Sequence, residues 1–211
     1  MGRSISLFIV LFIFTMPLFA QKFDGGILAG FNGSQVRGHI QSNGFHKMGL
    51  LGGAWVQSKI GDNFYWNLEL KYSQKGFRIN PTLKNGGYLY IYRLNYIDLP
   101  IAFGYQYNEN FSLFAGLSFN YLISKSAQDN YSRIEIENGM LNWETALFTG
   151  IRVNFNQLIK EEWAKNFKLD FRYQFSAIPV YTTNQKLFYY SPYSQFNSVI
   201  STALYYTFEL Q

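Results

Sequence analysis

Phe64-Tyr65-Trp66-Asn67-Leu68-Glu69-Leu70-Lys71-Tyr72-Ser73 is two interleaved sequences. Its even positions are Phe, Trp, Leu, Leu and Tyr; its odd positions are Tyr, Asn, Glu, Lys and Ser. Side chains alternate across a strand with a period of two, so this stretch is a strand with one apolar and one polar face. Phe167 to Ser176 repeats the pattern, with Phe167, Leu169, Phe171, Tyr173 and Phe175 opposed to Lys168, Asp170, Arg172, Gln174 and Ser176. Asn142 to Phe155 does so again, and Phe111–Ser124 and Asn197–Leu210 reach the same length. Strands of globular proteins average about five or six residues, whereas a tilted membrane strand needs about nine to eleven. These are of the second kind.

Tyr88 to Tyr107 is longer, and its phase slips. Tyr90, Tyr92, Leu94 and Tyr96 are apolar at even positions, then Leu99, Ile101, Phe103 and Tyr105 at odd ones. One extra residue near Asp98, a β-bulge beside the non-donating Pro100, accounts for the slip. The first two strands, near Asp24–Asn32 and Lys47–Ser58, are Gly-rich and less sharply patterned.

The connections alternate in length. Gly61-Asp62-Asn63 and Asn108-Glu109-Asn110 are tight turns, while longer polar or Gly-rich stretches lie around residues 34–46, 75–87, 125–139 and 178–195. Outer-membrane barrels pair short periplasmic turns with long external loops. Residues 157–165 fall on the short-turn side, and their Leu158, Ile159 and Trp163 among charges predict one or two helical turns. The fold class is therefore all-β: a transmembrane antiparallel up-and-down barrel of about eight strands, with about ten the next even count.

The N-terminus sets the compartment. Arg3 precedes an apolar run from Ile5 to Ala20, broken only by Ser6, Thr15 and Pro17, which reads as a cleaved signal peptide over residues 1–20. The barrel domain is then 21–211. The chain has no cysteine, which excludes thiol chemistry and disulfide staples. It is 20% aromatic and only 15% charged. A barrel with an apolar belt and aromatic girdles has that composition. The net charge of +5 points to anionic lipid or lipopolysaccharide phosphates rather than nucleic acid in an exported chain.

The polar faces carry Glu69, Lys71, Arg93, Glu144, Arg152, Lys168, Asp170, Arg172 and Glu209. Inside an eight-stranded barrel, just wide enough to be filled by side chains, these charges are expected to pair into one network. Tyr181, Phe188, Tyr189, Tyr190, Tyr193 and Phe196, in and beside the last long loop, form either an aromatic girdle or a recognition surface.

With those elements placed, the chain resembles the PorT-type outer-membrane β-barrel family of Bacteroidota. The resemblance rests on Gly-Ile-Leu-Ala-Gly-Phe-Asn (26–32), Leu68-Glu69-Leu70-Lys71-Tyr72-Ser73-Gln74-Lys75-Gly76, Tyr96-Ile97-Asp98-Leu99-Pro100-Ile101, Phe114-Ala115-Gly116 and the closing strand. It spans about Lys22 to Gln211, essentially the whole of the chain after the signal. It implies an outer-membrane, porin-like barrel and a link to type IX secretion, and it supplies no catalytic or ligand residues.

No enzyme chemistry is legible. His39 and His46 are the only histidines, both in or beside the first long loop and without thiol or carboxylate company. Asp129, Glu135 and Glu137 lack the glycine-centred spacing of a calcium loop. Glu144 with Asp170 or Glu209 is an acid/base pair only in outline, since basic neighbours favour salt bridges. The expected cofactor and metal complement is none. The leading function is a structural or secretion-associated barrel whose partners are outer-membrane lipid, lipopolysaccharide and other envelope proteins. A narrow channel and a soluble lipocalin-like binder are the alternatives, because alternation alone does not say which face turns inward.

Overall fold

The computed structural model describes residues 22–38, 44–134, 140–155, 159, 161–181 and 194–208. The signal-peptide reading of residues 1–20 lies outside them. The strands are β1 (Phe23–Arg37), β2 (Lys47–Ile60), β3 (Phe64–Ile79), β4 (Tyr90–Gln106), β5 (Phe111–Asp129), the two-residue β6 (Arg133–Ile134), β7 (Trp143–Asn154), β8 (Phe167–Ser176) and β9 (Phe196–Thr207). Each long strand pairs antiparallel with two others, and β1 meets β9, so eight strands close into a barrel. β6 only extends the upper edge of β5.

Partners traced from Gly25 through Val56, Leu68, Ile101, Leu117, Leu147, Phe175 and Ser198 return to β1 at Gln35, ten residues along. That stagger tilts the strands against the barrel axis. Residues 61–63, 107–110 and 155–166 connect strands at one end, here the turn end, where Phe23 and Thr207 also lie. The four longer connections define the loop end. Among the described residues of 155–166, a 3₁₀ helix over Glu162–Asn166 supplies the one or two helical turns expected there. It buries Ala164 and sets Trp163 against Phe167, ring centroids 5.9 Å apart.

The structure decides the faces. Tyr65, Asn67, Glu69, Lys71 and Ser73 of β3 are buried inside, while Phe64 and Leu70 are 58% and 57% exposed outside. The same division holds on β5, where Leu113, Leu117, Phe119 and Tyr121 are exposed and Ser112, Phe114, Ser118 and Asn120 are buried. An apolar belt thus surrounds a largely polar interior. Aromatics rim it at both ends: Phe64 with Tyr105 and Phe167 with Tyr206 below, Tyr121 with Trp143 above. The curvature needs small residues inside. A Cβ at Gly104 would come within 2.0 Å of the Tyr65 ring that lies across it.

The expected bulge near Asp98 is corrected. On β4, Tyr92, Leu94, Tyr96, Asp98, Pro100 and Ala102 are all buried, so the even positions face inward without a slip. The register does shift between Asn95 and Tyr96, but the extra residue is Ile123 on β5: Asn95 faces Ser124 and Tyr96 faces Leu122. What changes along β4 is polarity. Towards the loop end the inward residues become apolar, and Val36, Phe77, Ile79, Tyr92, Leu94, Tyr96, Leu122 and Ala127 form one buried cluster. Outside that level the belt gives way to Gln74, Arg78, Arg93 and Asn95. β3 also runs on to Ile79 where the sequence reads as loop, passing Gly76 at φ +126°, a conformation L side chains resist.

Candidate functional site: the charged lumen

Two clusters of paired charge fill the lumen between the turn end and the apolar cluster. The lower one centres on Glu69, which the inward phase of β3 carries to the axis. Arg172 of β8 binds it through two bonds, Nη2 to Oε1 at 2.7 Å and Nη1 to Oε2 at 3.0 Å. Tyr205 donates its hydroxyl to Oε1 at 2.7 Å, and Lys71 donates to Oε2 at 3.1 Å. Arg152 grips Asp170 in the same two-pronged way, at 2.6 and 2.9 Å, and donates its remaining Nη1 to Gln57 at 2.8 Å. Arg172 Nη2 lies 3.5 Å from Asp170 and joins the two pairs. The guanidinium of Arg172 stacks 4.5 Å from the Phe148 ring centre, and that of Arg152 4.6 Å from Tyr205. Planar forks meeting carboxylates in a dry interior are the geometry in which buried charge is tolerated.

The upper cluster turns on Lys75, whose ammonium donates to Glu144 at 2.8 Å and Asp98 at 3.2 Å and lies 4.6 Å from the Tyr96 ring centre. Asn120 and Asn197 donate to the Glu144 carboxylate at 3.0 and 3.1 Å, and Ser176 donates to it as well. Lys75 and Asp98 are each 1% exposed. Neither is among the charges singled out from the sequence. The signal was present, because Lys75 continues the odd series of Tyr65, Asn67, Glu69, Lys71 and Ser73.

The sequence grouping needs two further corrections. The described charges form two clusters rather than one network, and among the described residues no hydrogen bond or ion pair joins Lys75 to the Glu69 group. Arg93 belongs to neither: it is half-buried on the outward phase of β4 and donates to Gln128 at 3.3 Å. Glu144 and Asp170 sit in different clusters, each held by its own cation, as the salt-bridge reading has it. Lys168 stands near the turn end with its ammonium 4.8 Å from the Trp55 ring centre. Glu209 lies outside the described residues.

The family of outer membrane protein beta-barrel domains matches residues 19–181. The chain belongs to that family. Among solved structures it is similar to Ail, the attachment invasion locus protein of Yersinia pestis, solved with the heparin analogue sucrose octasulfate. That match has 13% identity and a TM-score of 0.50, and covers 89% of this chain and 99% of the other. It is also similar to Neisserial surface protein A, with 11% identity and a TM-score of 0.52, covering 87% and 97%. At these identities the likeness is one of fold. No curated protein matches the chain.

The site of this outer-membrane barrel is thus a packed interior with a recess at the turn end. A cavity of about 440 Å³ opens at the turn end and reaches inward to Tyr65, Ser112 and Arg152, with Lys168 in its wall. At the loop end, Tyr181 is half-buried and bridges Met140 and Gln195. Phe188, Tyr189, Tyr190 and Tyr193 lie outside the described residues. Phe196 begins β9 and is half-buried. His46 is exposed, and His39, Glu135 and Glu137 are not described. Asp129 uses its Oδ1 to accept the backbone N–H groups of Tyr131 and Ser132, both at 2.8 Å.

Proposed function

We propose that this barrel is a non-enzymatic, non-conducting component of the outer membrane, structural or associated with secretion, with its loop end outward. The observation that carries the reading is the stacking of two closures in one lumen. The carboxylates of Glu69, Asp170 and Glu144 are each bound by a buried cation. Above them Tyr92, Leu94 and Tyr96 pack with Phe77 and Leu122 into an apolar plug. A solute crossing the barrel would have to strand a buried charge in the first layer and wet the second. The loop end is taken as external because long loops face outward in such barrels. The type IX secretion role of PorT-like barrels belongs to this proposal, supported by the blocks at 69–76 and 96–101. Lipopolysaccharide and envelope proteins are the proposed partners.

Planar-bilayer recording tests it. The folded protein is expected to give no reproducible conductance steps, whereas uniform steps at single-molecule dilution favour the narrow channel and end this reading. Orientation is tested with single cysteines in the cysteine-free chain. A cysteine replacing the exposed Lys84 is expected to react with an impermeant reagent on intact cells, and one replacing Asp62 to stay unlabelled.

A further inference from the structure

Above the apolar belt, the outer wall of β3, β4, β5 and β6 carries three arginines that the lumen does not use. Position along each strand is set by register. Tyr72, Ile97, Tyr121 and Trp143 lie in one row across β3, β4, β5 and β7 and form the upper rim of the belt. The next row is Gln74, Asn95 and Ser124, tied by an Asn95 to Ser124 bond of 2.7 Å. Then come Gly76, Arg93 and Ser126, and above these Arg78, Ile91, Gln128 and Arg133. All of these positions share the outward phase, so Arg78, Arg93 and Arg133 stand on one face.

That face differs in kind from the lumen. Arg152 and Arg172 are matched by carboxylates, whereas none of Arg78, Arg93 and Arg133 is in an ion pair among the described residues. Their described neighbours on the face are amides, hydroxyls, one glycine and one isoleucine, with no acid. Asp129, the nearest described acid in sequence, pairs with Tyr90 on the inward phase. Forked guanidiniums with no counter-charge among the described residues, flanked by neutral hydrogen-bonding groups, suit phosphate.

Height decides which phosphate. Rows on a strand are about 6.6 Å apart, so Arg93 stands about 13 Å beyond Ile97, and Arg78 about 20 Å beyond Tyr72, along their own strands, or about 10 and 15 Å along the axis at a tilt of about 40°. A phospholipid headgroup layer adds only about 5–8 Å to each side of the hydrocarbon. A lipid whose phosphorylated headgroup is itself a saccharide reaches further, and the outer leaflet supplies one. We propose that Arg78, Arg93 and Arg133 form a seat for the phosphates of outer-leaflet lipopolysaccharide. This rests on the loop end facing outward.

The test uses the full protein folded in phosphatidylcholine vesicles, titrated with lipopolysaccharide and with the same material dephosphorylated. At roughly fivefold per arginine, the combined R78Q, R93Q and R133Q variant is expected to bind lipopolysaccharide about a hundredfold more weakly. Dephosphorylated material should bind wild type as weakly as this variant does, and K84Q, at the loop tip off this face, should bind as wild type. Wild-type binding should weaken with salt. Equal affinity of wild type and the triple variant overturns the seat, as does equal binding of dephosphorylated material. Gel mobility with and without heating checks that the variant folds; if it does not, R133Q alone, in the terminal two-residue strand, carries the test. Surface labelling of K84C reports orientation separately, so an inverted barrel and a wrong seat give different results.

Discussion

From its turn up to Ser73, β3 is polar within and apolar without; from Phe77 to its loop it is the reverse. β3 and β4 cross the boundary without changing phase, and β5 crosses it with one extra residue at Ile123. Below it, Leu70 faces lipid and Glu69 faces the axis; above it, Arg78 faces outward and Phe77 inward. A strand obeys whichever solvent it meets. Lipid outside requires the polar set to be satisfied internally, as Arg172 and Glu69 do for one another. Water outside permits an ordinary apolar core.

The largest effects are expected where the lower regime buries charge. Lys75→Met leaves Asp98 and Glu144 without their cation. Asp98 Oδ2 already has no hydrogen-bond partner among the described residues. A loss of about 5 kcal/mol is expected, the top of the range for breaking a buried pair. Arg172→Met should cost less, about 3 kcal/mol, because Lys71 stays 3.1 Å from Glu69. Urea unfolding in detergent micelles measures both. Losses below about 1 kcal/mol for both would mean that water reaches the lumen, as at a surface pair.

The apolar plug makes the second contrast. Leu94 is fully buried among Tyr92, Tyr96, Phe77 and Leu122. Leu94→Ala is expected to cost about 3 kcal/mol, as in a soluble core, and the same unfolding experiment reads it. A neutral result would show that the upper half is not packed as a core.

The outer wall sharpens the boundary itself. Arg in place of Leu70 should cost about 2–4 kcal/mol if that level is near the midplane, falling to about 0–1 kcal/mol near the interface for Arg in place of Gln74. Folding yields into lipid vesicles compare the two. Equal costs would move the boundary from where the side chains put it.

The same boundary explains what was legible in the sequence. Below it, alternation in Phe64–Ser73 and Phe167–Ser176 is clean, and strands, turns and most lumen charges follow directly. Periodicity says which residues share a face, but not whether that face looks at lipid, water or the axis. So Tyr90, Tyr92, Leu94 and Tyr96 mimic a phase slip when only their surroundings change, and Arg93 is assigned to the lumen by the same error. Lys75 escapes because Gly76 and the polar residues after it look like a loop. Asp98 escapes because it sits between Ile97 and Leu99 on a strand whose phase was misread. Partnerships such as Glu69 with Arg172, far apart in the chain, depend on barrel stagger, which no single strand encodes.

The smallest expected effect lies beyond both regimes, where two loops are clamped by one side chain. Asn130 accepts the Leu89 N–H at 2.5 Å and donates to the Gly87 carbonyl at 3.0 Å, tying the start of the β5–β6 turn to the β3–β4 connection. The β3–β4 connection has its own order: Thr82 and Asn85 cap a 3₁₀ turn, and Asn85 donates to Asn80 and Tyr88. These groups are exposed, so water replaces the lost bonds, and Asn130→Ala should change global stability by less than about 1 kcal/mol. Its effect should appear locally instead, since surface loops open independently of the barrel. Amide hydrogen exchange at Leu89 is expected to speed up in Asn130→Ala, while amides of the β3–β4 ladder at Leu68 and Ile101 stay unchanged. If exchange rose equally at Leu89 and Leu68, the loops and barrel would open as one unit, and the independence of the two regimes would fail.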